Sequence, residues 1–467
     1  MLKIIEKSTS LKSDHLVFFI QKKKDLEKLS FLKLDSKIIK KIHKIISEKK
    51  STSETFFLGN SKVETLTIVF STETHNRKLI EFLWKTFSAL PSEITILSHA
   101  DKNILTLLDV SVLSRYKFEK YKSKKKNIKT HMWVEDKAMK AKVKSRYKTL
   151  QNIILARELW ETPACDLTPE AFADIVKKTK FKNTKIKIFS DKDIVKKKMW
   201  LIHAVGKGSV HKPRMVILER IVDKKLPTIG IVWKGIVFDT GGLDIKTKMM
   251  YEMKDDMCGA GTLFATMKEL DDKKLNVNIV ACLCLAENSI SWESYRPSDI
   301  ITSYSGQTVN IVNTDAEWRL VMADGISYIS KNYKLDKIMT IATLTWVALF
   351  AMGYRYAAIM WNDTKFRNKF LDYSEKNFEM YNRLPFDEYY VEKTKSSIAD
   401  IDNLTSGIYA GSTMWGAFLY NFVMNGEKYT HLDIAGVANN WYEPYGLYPK
   451  GTTGFGVDSI SSILQHM

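Results

Sequence analysis

The sequence has few cysteines and no cysteine motif. It contains only Cys165, Cys258, Cys282 and Cys284, and no two of them form a CxxC pair. Cys282 and Cys284 alternate within the apolar run NIVACLCLAEN, so both should face the same side of a predicted strand. We therefore expect four buried, reduced thiols, which excludes a disulfide framework and a thiolate metal site.

A histidine metal motif is also missing. The nine histidines include no HExxH sequence and no pair at metal-ligand spacing. Any metal bound by this chain must therefore be held mainly by carboxylates, which are the ligands that hard divalent cations prefer.

The N-terminus lacks a long apolar run. Its one apolar patch, LVFFI, is flanked by charged residues and is too short for a signal-peptide core or a membrane span. We expect a cytoplasmic protein with no membrane partner.

Positive charge is concentrated in the N-terminal third. Residues 1–150 contain 33 basic and 16 acidic side chains, whereas the rest of the chain contains 39 and 37. Residues 115–148 alone carry 14 basic and 3 acidic side chains. This segment could bind nucleic acid or another polyanion, although the plainer interpretation is a solvated linker in a lysine-rich protein.

The pattern of apolar runs predicts two α/β domains. Residues 1–115 mix amphipathic helical segments such as KIIKKIHKIISEKK with strand-like runs such as TLTIVF, and residues 116–150 form a basic linker or helix. From 151 to 467, continuous apolar runs such as NVNIVACLCLA and DKIMTIATL alternate with helical patterns. Such alternation indicates a mostly parallel central sheet flanked by helices.

Polar residues cluster where three of these predicted elements meet. Ligands of open α/β sheets gather beyond the carboxyl ends of the strands, so these junctions are candidate sites. The candidates are Lys234, Asp239 and Lys246 in TIGIVWKGIVFDTGGLDIK, Asp256 in MKDDMCGAG, and Asp315, Glu317 and Arg319 in NTDAEWRL.

Taken singly, each of these acids has an ordinary structural explanation. Asp256 and Asp315 stand where helix N-caps are expected, and Glu317 is a normal acid of a first helical turn. Together, however, four carboxylates at one edge of a sheet repel one another unless cations neutralise them. Two divalent metals would solve this problem, and they would lower the pKa of a water for hydrolysis.

At these residues the chain resembles the leucine aminopeptidase (cytosol aminopeptidase) family. KGIVFDTGGLDIK, KDDMCGAG and NTDAEWRLVMAD are similar to its three metal signatures. Further blocks, including ETPACDLTPE, KSSIADIDN and THLDIAG, extend the resemblance from about residue 160 to the C-terminus.

The resemblance implies a two-metal site with assigned roles. Asp239 and Glu317 would bridge both metals, Lys234 and Asp256 would complete one metal site, and Asp315 would complete the other. The metals would be zinc, manganese or magnesium. Lys246 and Arg319 would be catalytic, with a bicarbonate at Arg319, and the residues bordering the substrate would be Met253, Asn313, Thr343 and Leu344.

It also implies an activity and an assembly. A hydroxide bridging the two metals would attack the first peptide bond of short peptides with a free N-terminus, preferably after an apolar, leucine-like residue. A homohexamer is the family's usual assembly. A different kind of dinuclear metallohydrolase is a weaker alternative, because the NTDAE block argues against it.

Four tryptophans depart from the family pattern. Trp233, Trp292, Trp318 and Trp346 stand where the family normally has glycine. Indoles at such positions can overpack a site by about 1–3 kcal/mol each. They leave open an alternative function, that of a catalytically impaired, oligomeric family member that binds nucleic acid through residues 115–148.

Overall fold

A computed structural model of the chain describes residues 1–5, 13–59, 62–73, 76–98, 103–343, 346–405 and 410–467. Its contacts divide the chain into two compact units. The first unit comprises Met1–Ile154 with Trp441–Lys450, and the second comprises Leu155–Asn440 with Gly451–Met467. The division therefore falls inside a helix, close to the boundary at residue 150 that the sequence predicts.

The first unit is an α/β domain built on one six-stranded sheet. Its sheet order is β1-β6-β5-β2-β4-β3, and every neighbouring pair is parallel except β3 with β4. The strands are β1 (Leu2–Ile5), β2 (Ser13–Ile20), β3 (Thr52–Phe57), β4 (Val63–Phe70), β5 (Glu93–Ser98) and β6 (Lys129–Trp133). The helices are α1 (Ser36–Ser47), α2 (Arg77–Ser88), α3 (Ile104–Leu113) and α4 (Lys137–Glu161), with a 3-10 helix at Lys23–Leu32.

The predicted basic linker, residues 116–150, forms the end of this unit. It contributes β6 and the first half of α4, and residues 120–127 between α3 and β6 are exposed. Arg115, at the start of the basic run, is buried and donates hydrogen bonds to the carbonyl oxygens of Ser111 and Pro91. Exposed lysines therefore occur both in residues 120–127 and in the first half of α4, where Lys137, Lys142 and Lys144 are exposed.

The second unit is built on an eight-stranded sheet of order β15-β14-β17-β13-β9-β10-β8-β7. Its strands are β7 (Lys185–Phe189), β8 (Arg214–Arg220), β9 (Thr228–Asp239), β10 (Asn278–Asn288), β13 (Lys337–Ala342), β14 (Ala357–Trp361), β15 (Tyr381–Arg383) and β17 (Lys428–Asp433). Shorter strands are β11 (Ile300–Thr302), β12 (Thr308–Asn310), β16 (Ile401–Asp402), β18 (Asn439–Asn440) and β19 (Gly451–Thr452).

Eleven α-helices and a 3-10 helix at Met250–Met257 accompany these strands in the described residues. The helices are α5 (Pro169–Lys178), α6 (Asp191–Lys196), α7 (Trp200–Lys207), α8 (Cys258–Leu270), α9 (Trp318–Asn332), α10 (Trp346–Met352), α11 (Thr364–Asn377), α12 (Glu388–Glu392), α13 (Gly411–Tyr420), α14 (Ala435–Ala438) and α15 (Val457–Gln465).

The four central strands of this sheet, β17, β13, β9 and β10, run parallel to one another. Residues of α7, α9 and α13 join those of β9 and β10 in one hydrophobic core, and α8 packs on β9 and β10 outside that core. The predicted fold class, a small α/β domain followed by an α/β domain with a mostly parallel sheet flanked by helices, is confirmed. The described part of the chain contains no helix with the length and apolar character needed to cross a membrane.

A buried histidine in the central sheet generates a stability prediction. His431 on β17 is fully buried, its Nδ1 lies 2.7 Å from Thr340 Oγ1, and its Nε2 has no hydrogen-bond partner among the described residues. Burial lowers the pKa of His431 to about 3. Below pH 6.5 the unfolded chain therefore takes up a proton that the folded chain refuses, so stability falls as pH falls.

Lowering the pH from 7.5 to 5.5 should cost the native protein about 1.4 kcal/mol more than it costs a His431→Asn variant. The asparagine retains a polar partner for Thr340 but cannot titrate. Urea unfolding at both pH values measures this difference. Equal losses in the two proteins would show that His431 is not the titrating group.

Candidate active site

The site begins at the carboxyl end of β9. Lys234 and Asp239 both lie on this strand and are buried. Residues five apart on a regular strand point to opposite faces. The pairing of β9 with β10 shifts register between Ala286 and Asn288, where three residues of β9 span two of β10. Such a bulge re-aims the strand end, which allows Asp239 to share a site with Lys234.

Lys234 contacts Asp256, the residue of the second predicted junction. Its Nζ lies 2.5 Å from Asp256 Oδ1 and 3.7 Å from Glu317 Oε1, and it donates a hydrogen bond of 3.0 Å to the Thr343 carbonyl oxygen. Asp256 lies in the 3-10 helix that precedes α8. The first predicted metal site, formed by Lys234 and Asp256 with Glu317, is therefore brought together in space.

The third junction closes the site from the opposite side. One carboxylate oxygen each of Asp239, Asp315 and Glu317 lies within 4.8 Å of the others. Lys246 Nζ lies 2.8 Å from Asp239 Oδ2 and 2.5 Å from Asp315 Oδ1. The structure thus brings together all five predicted metal ligands and the predicted catalytic lysine.

The electrostatics of this cluster fit divalent cations. Burial, and then the charge of Asp239, raises the pKa of both Asp315 and Glu317, and burial raises that of Asp256 to about 6. Glu317 Oε2 and Asp256 Oδ2 are buried without a hydrogen-bond partner in the described part of the chain. Buried carboxylate oxygens without partners are costly, and a cation is the partner that they lack.

Lys246 remains charged in this setting. Burial alone would lower its pKa, but Asp239, Glu317 and Asp256 together raise it above the usual lysine value. The side chain is therefore an ammonium ion at neutral pH. It is held where it can donate hydrogen bonds to an oxygen that develops negative charge.

A double-glycine turn carries Lys246 to its position. Gly241 and Gly242 have φ angles of +88° and +65°, a region that side chains disfavour. A Cβ on Gly241 would lie 2.4 Å from the Asp244 carbonyl oxygen and 2.9 Å from Asp315 Oδ1. The turn therefore needs glycine, both for its backbone conformation and for its close approach to Asp315, a predicted metal ligand.

Asn403 clamps the loop that carries two of the ligands. Its Oδ1 accepts hydrogen bonds from the backbone nitrogens of Val312 and Asn313 at 2.7 and 3.2 Å, and its Nδ2 donates one of 2.7 Å to the Asn313 carbonyl oxygen. Its own carbonyl oxygen accepts a hydrogen bond of 2.6 Å from Arg319 Nη1. One buried side chain and its carbonyl therefore hold both the ligand loop and Arg319.

Asn288 orients the predicted bridging ligand Asp239. Its Nδ2 donates a hydrogen bond of 2.8 Å to Asp239 Oδ1, which also accepts one from the Gly241 backbone nitrogen. Oδ2 is left to face Lys246. Neither Asn288 nor Asn403 was predicted from the sequence. Asn288 comes two residues after the end of an apolar run, a signal similar to the one that identified the acids, whereas Asn403 carries no such signal.

Arg319 lies in an aromatic cage beside the cluster. Its guanidinium carbon is 4.9 Å from the ring centre of Trp318, 5.0 Å from that of Trp415 and 5.9 Å from that of Phe418. Burial lowers the pKa of Arg319 to about 9. Because Lys234 Nζ is 5.8 Å from the Trp318 ring centre, the indole lies against both Arg319 and the metal site.

The remaining tryptophans that depart from the family pattern differ in environment. Trp233 is buried, and its Nε1 has no hydrogen-bond partner in the described ranges. Trp292 is 97% exposed and therefore overpacks nothing. Trp346 begins α10, and its side chain is outside the described part of the structure.

Three of the four predicted substrate residues can be placed. Thr343 Oγ1 donates a hydrogen bond of 3.5 Å to Asp256 Oδ1, and Asn313 Oδ1 accepts one of 2.6 Å from the Asp315 backbone nitrogen. Met253 is half-buried in the 3-10 helix that carries Asp256. The fourth, Leu344, lies outside the described residues.

Known proteins resemble this chain along most of its length. The catalytic domain of the cytosol aminopeptidase family matches residues 154–461. A probable cytosol aminopeptidase 1 of Shewanella oneidensis is 35% identical over 359 residues, which are 75% of this chain and 71% of that protein. A probable cytosol aminopeptidase of Ehrlichia ruminantium is 35% identical over 381 residues, which are 78% of this chain and 75% of that protein.

A solved structure shares the fold. The bottromycin maturation enzyme BotP in complex with Mn superposes with a TM-score of 0.82 and 25% sequence identity. The match covers 97% of this chain and 99% of that chain.

The Asn403 clamp predicts a loss of metal affinity on mutation. Asn403→Ala should weaken Mn²⁺ binding by about 10–100-fold, because groups that orient metal ligands typically contribute that much. Isothermal titration calorimetry measures the affinity directly and does not require turnover.

Asn278→Ala provides a matched control. Asn278 is also a buried asparagine, but it hydrogen-bonds Asp223 and Leu226 near the start of β10 rather than the site at its end. Both variants should lose stability, and only Asn403→Ala should lose Mn²⁺ affinity. Similar Mn²⁺ affinities of the two variants would show that Asn403 has only a structural role.

Proposed function

This chain belongs to the cytosol aminopeptidase family, whose members are hydrolases of the aminopeptidase class, and we propose that it removes N-terminal residues from short peptides. The preferred N-terminal residues are apolar and leucine-like. The substrate needs a free N-terminus, because only an unblocked amine could coordinate one of the divalent cations held at this site. A cytoplasmic location accords with the names of the relatives.

One observation carries the proposal: four carboxylates and two lysines converge at the end of β9, with buried carboxylate oxygens that lack partners. Two divalent cations would be held here: Asp239 and Glu317 would serve both of them, Lys234 and Asp256 would complete one site, and Asp315 would complete the other. Zinc, manganese or magnesium would fit this set of ligands. Manganese is the first choice for experiments, because BotP was solved with Mn.

Divalent cations held there would polarise the first peptide carbonyl and lower the pKa of a water. The protein's own groups then complete the reaction. The Lys246 ammonium donates hydrogen bonds to the carbonyl oxygen as negative charge develops on it. Arg319 provides the second positive charge, where a bicarbonate could bind and move a proton. Asn403 and Asn288 keep the ligand carboxylates in one orientation throughout.

The proposed assembly is a homohexamer. The support for it is family membership, so the measurement that decides it is molar mass in solution by light scattering. A hexamer with inward-facing sites would admit short peptides and exclude folded proteins.

A second candidate is a catalytically impaired protein that binds nucleic acid. Two observations favour it: the Trp318 indole packed between Lys234 and Arg319, and the exposed residues 120–127 with their lysines. If phosphates are contacted, affinity for a DNA duplex should fall steeply as salt concentration rises.

Lys246→Met should lower the rate of leucine amide hydrolysis, measured with Mn²⁺ present, by about 10²–10³-fold, the usual effect of removing an oxyanion donor. Lys248→Met is a matched control, because Lys248 is an exposed lysine two residues away. It should retain full activity. Equal activity of the two variants would exclude Lys246 as the catalytic lysine.

Asp256→Ala should abolish both Mn²⁺ binding at one site and hydrolysis, whereas the parent protein should turn over leucine amides and short peptides. Trp318→Gly separates the two candidate functions. An inactive parent whose activity is restored by Trp318→Gly would refute the proposal that the native chain is an active enzyme and would favour the impaired alternative.

A further inference from the structure

The second unit contains a cavity of about 490 Å³, and of its lining residues the proposed reaction uses only Arg319 and Asn403. Its walls are mainly apolar and include Leu404, Met414, Trp415 and Phe418. Phe350 also lines the cavity, and 91% of its surface is exposed to solvent. A cavity of this size is within the usual range for small-molecule sites and is far larger than one bicarbonate requires.

Two side chains of opposite charge line this apolar space, Arg319 and Asp402. Arg319 is 3% exposed, and its Nε has no hydrogen-bond partner in the described ranges. No described carboxylate lies within 4.0 Å of its guanidinium. The carbonyl oxygen of Asn403 accepts a hydrogen bond from Nη1 only. A buried cation without a counter-ion is costly, so a ligand carboxylate is the partner that fits here.

Asp402 supplies the complementary charge. Its Oδ1 accepts a hydrogen bond of 2.8 Å from Asn310 Nδ2, and no described lysine or arginine pairs with its carboxylate. Asp402 is the chain neighbour of Asn403, whose carbonyl oxygen binds Arg319. Asp402 and Arg319 are therefore connected through Asn403, and both line the same cavity.

Trp318 lies against Arg319, which lines this cavity, and near Lys234 of the predicted metal site. The indole ring centre lies 5.8 Å from Lys234 Nζ and 4.9 Å from the Arg319 guanidinium carbon, and it meets the Trp415 ring edge-to-face at 5.9 Å. Trp318 is 2% exposed. None of the predicted metal ligands is among the lining residues of the cavity, so a ligand there could contact Arg319 without touching them.

We propose that this cavity binds a free apolar α-amino acid. Its carboxylate pairs with Arg319, its ammonium group pairs with Asp402, and its side chain lies among Leu404, Met414 and Trp415. Free apolar amino acids are also the product of the proposed function, and only this identification as product rests on that function. Bicarbonate would compete for the same guanidinium.

Calorimetric titration of L-phenylalanine into EDTA-treated, metal-free protein tests the proposal. Binding should be observed without metal, and bicarbonate should weaken it by competition. N-acetyl-L-phenylalanine lacks the ammonium group, and L-phenylalaninamide lacks the carboxylate. The affinity for each compound should therefore be lower than that for L-phenylalanine by a factor of about ten or more. Metal-free protein cannot hydrolyse the amide by the proposed route, so no L-phenylalanine is released from it during the titration.

Variants of the lining locate the ligand. Asp402→Asn should weaken L-phenylalanine binding about tenfold and leave N-acetyl-L-phenylalanine binding unchanged. Met414→Trp should fill the cavity and weaken binding of both compounds. Asp372→Asn changes an exposed aspartate on α11, away from the cavity lining, and should alter neither. Thermal unfolding of each variant checks that it is folded.

Absence of amino-acid binding at millimolar concentration would overturn the proposal, and so would binding that requires Mn²⁺ or that ignores both lining variants. These outcomes are independent of leucine amide hydrolysis. An inactive protein that still binds L-phenylalanine contradicts only the proposed function, and an active protein that does not bind it contradicts only the cavity site.

Discussion

Four carboxylates lie together at the carboxyl edge of the second sheet, and the repulsion among them is the constraint on which the site depends. Burial raises the pKa of Asp256, Asp315 and Glu317, because it removes the water that would otherwise solvate their charge. Lys246 lies against Asp239 and Asp315, and Lys234 lies against Asp256. A cluster held at such a cost is typical of a functional site rather than of a structural one.

The surrounding structure holds these charges in one arrangement. The β-bulge on β9 aims Asp239, the Gly241–Gly242 turn brings Lys246 back to it, and Asn403 fixes the loop of Asp315 and Glu317. These devices act on the backbone or on a single carboxylate oxygen, and Glu317 Oε2 and Asp256 Oδ2 have no hydrogen-bond partner in the described residues. A preorganised set of free oxygens is what a metal pair requires, since reorganisation on binding would weaken the affinity.

Trp318 affects both sides of this arrangement. On one side its ring faces Lys234, and on the other it forms, with Trp415 and Phe418, the cage of Arg319. The indole is accommodated in the hydrophobic core of α7, α9 and α13 rather than in conflict with it. Trp318 is therefore close both to Arg319 and to the predicted metal site, and none of the five predicted metal ligands lines the apolar cavity that Arg319 lines.

Much of the fold and the central site could be predicted from the sequence. Continuous apolar runs specify buried parallel strands wherever they occur, and polar residues directly after such runs must meet at one sheet edge, which is how Asp239 and Asp315 were found. Only the tertiary structure decided what depends on packing between distant segments. Asn403 lies about ninety residues from the loop it clamps, and the surroundings of Trp318 and Arg319 come from α9 and α13 together. Local sequence patterns do not indicate these contacts, because the contacts form only when separate elements pack into one core.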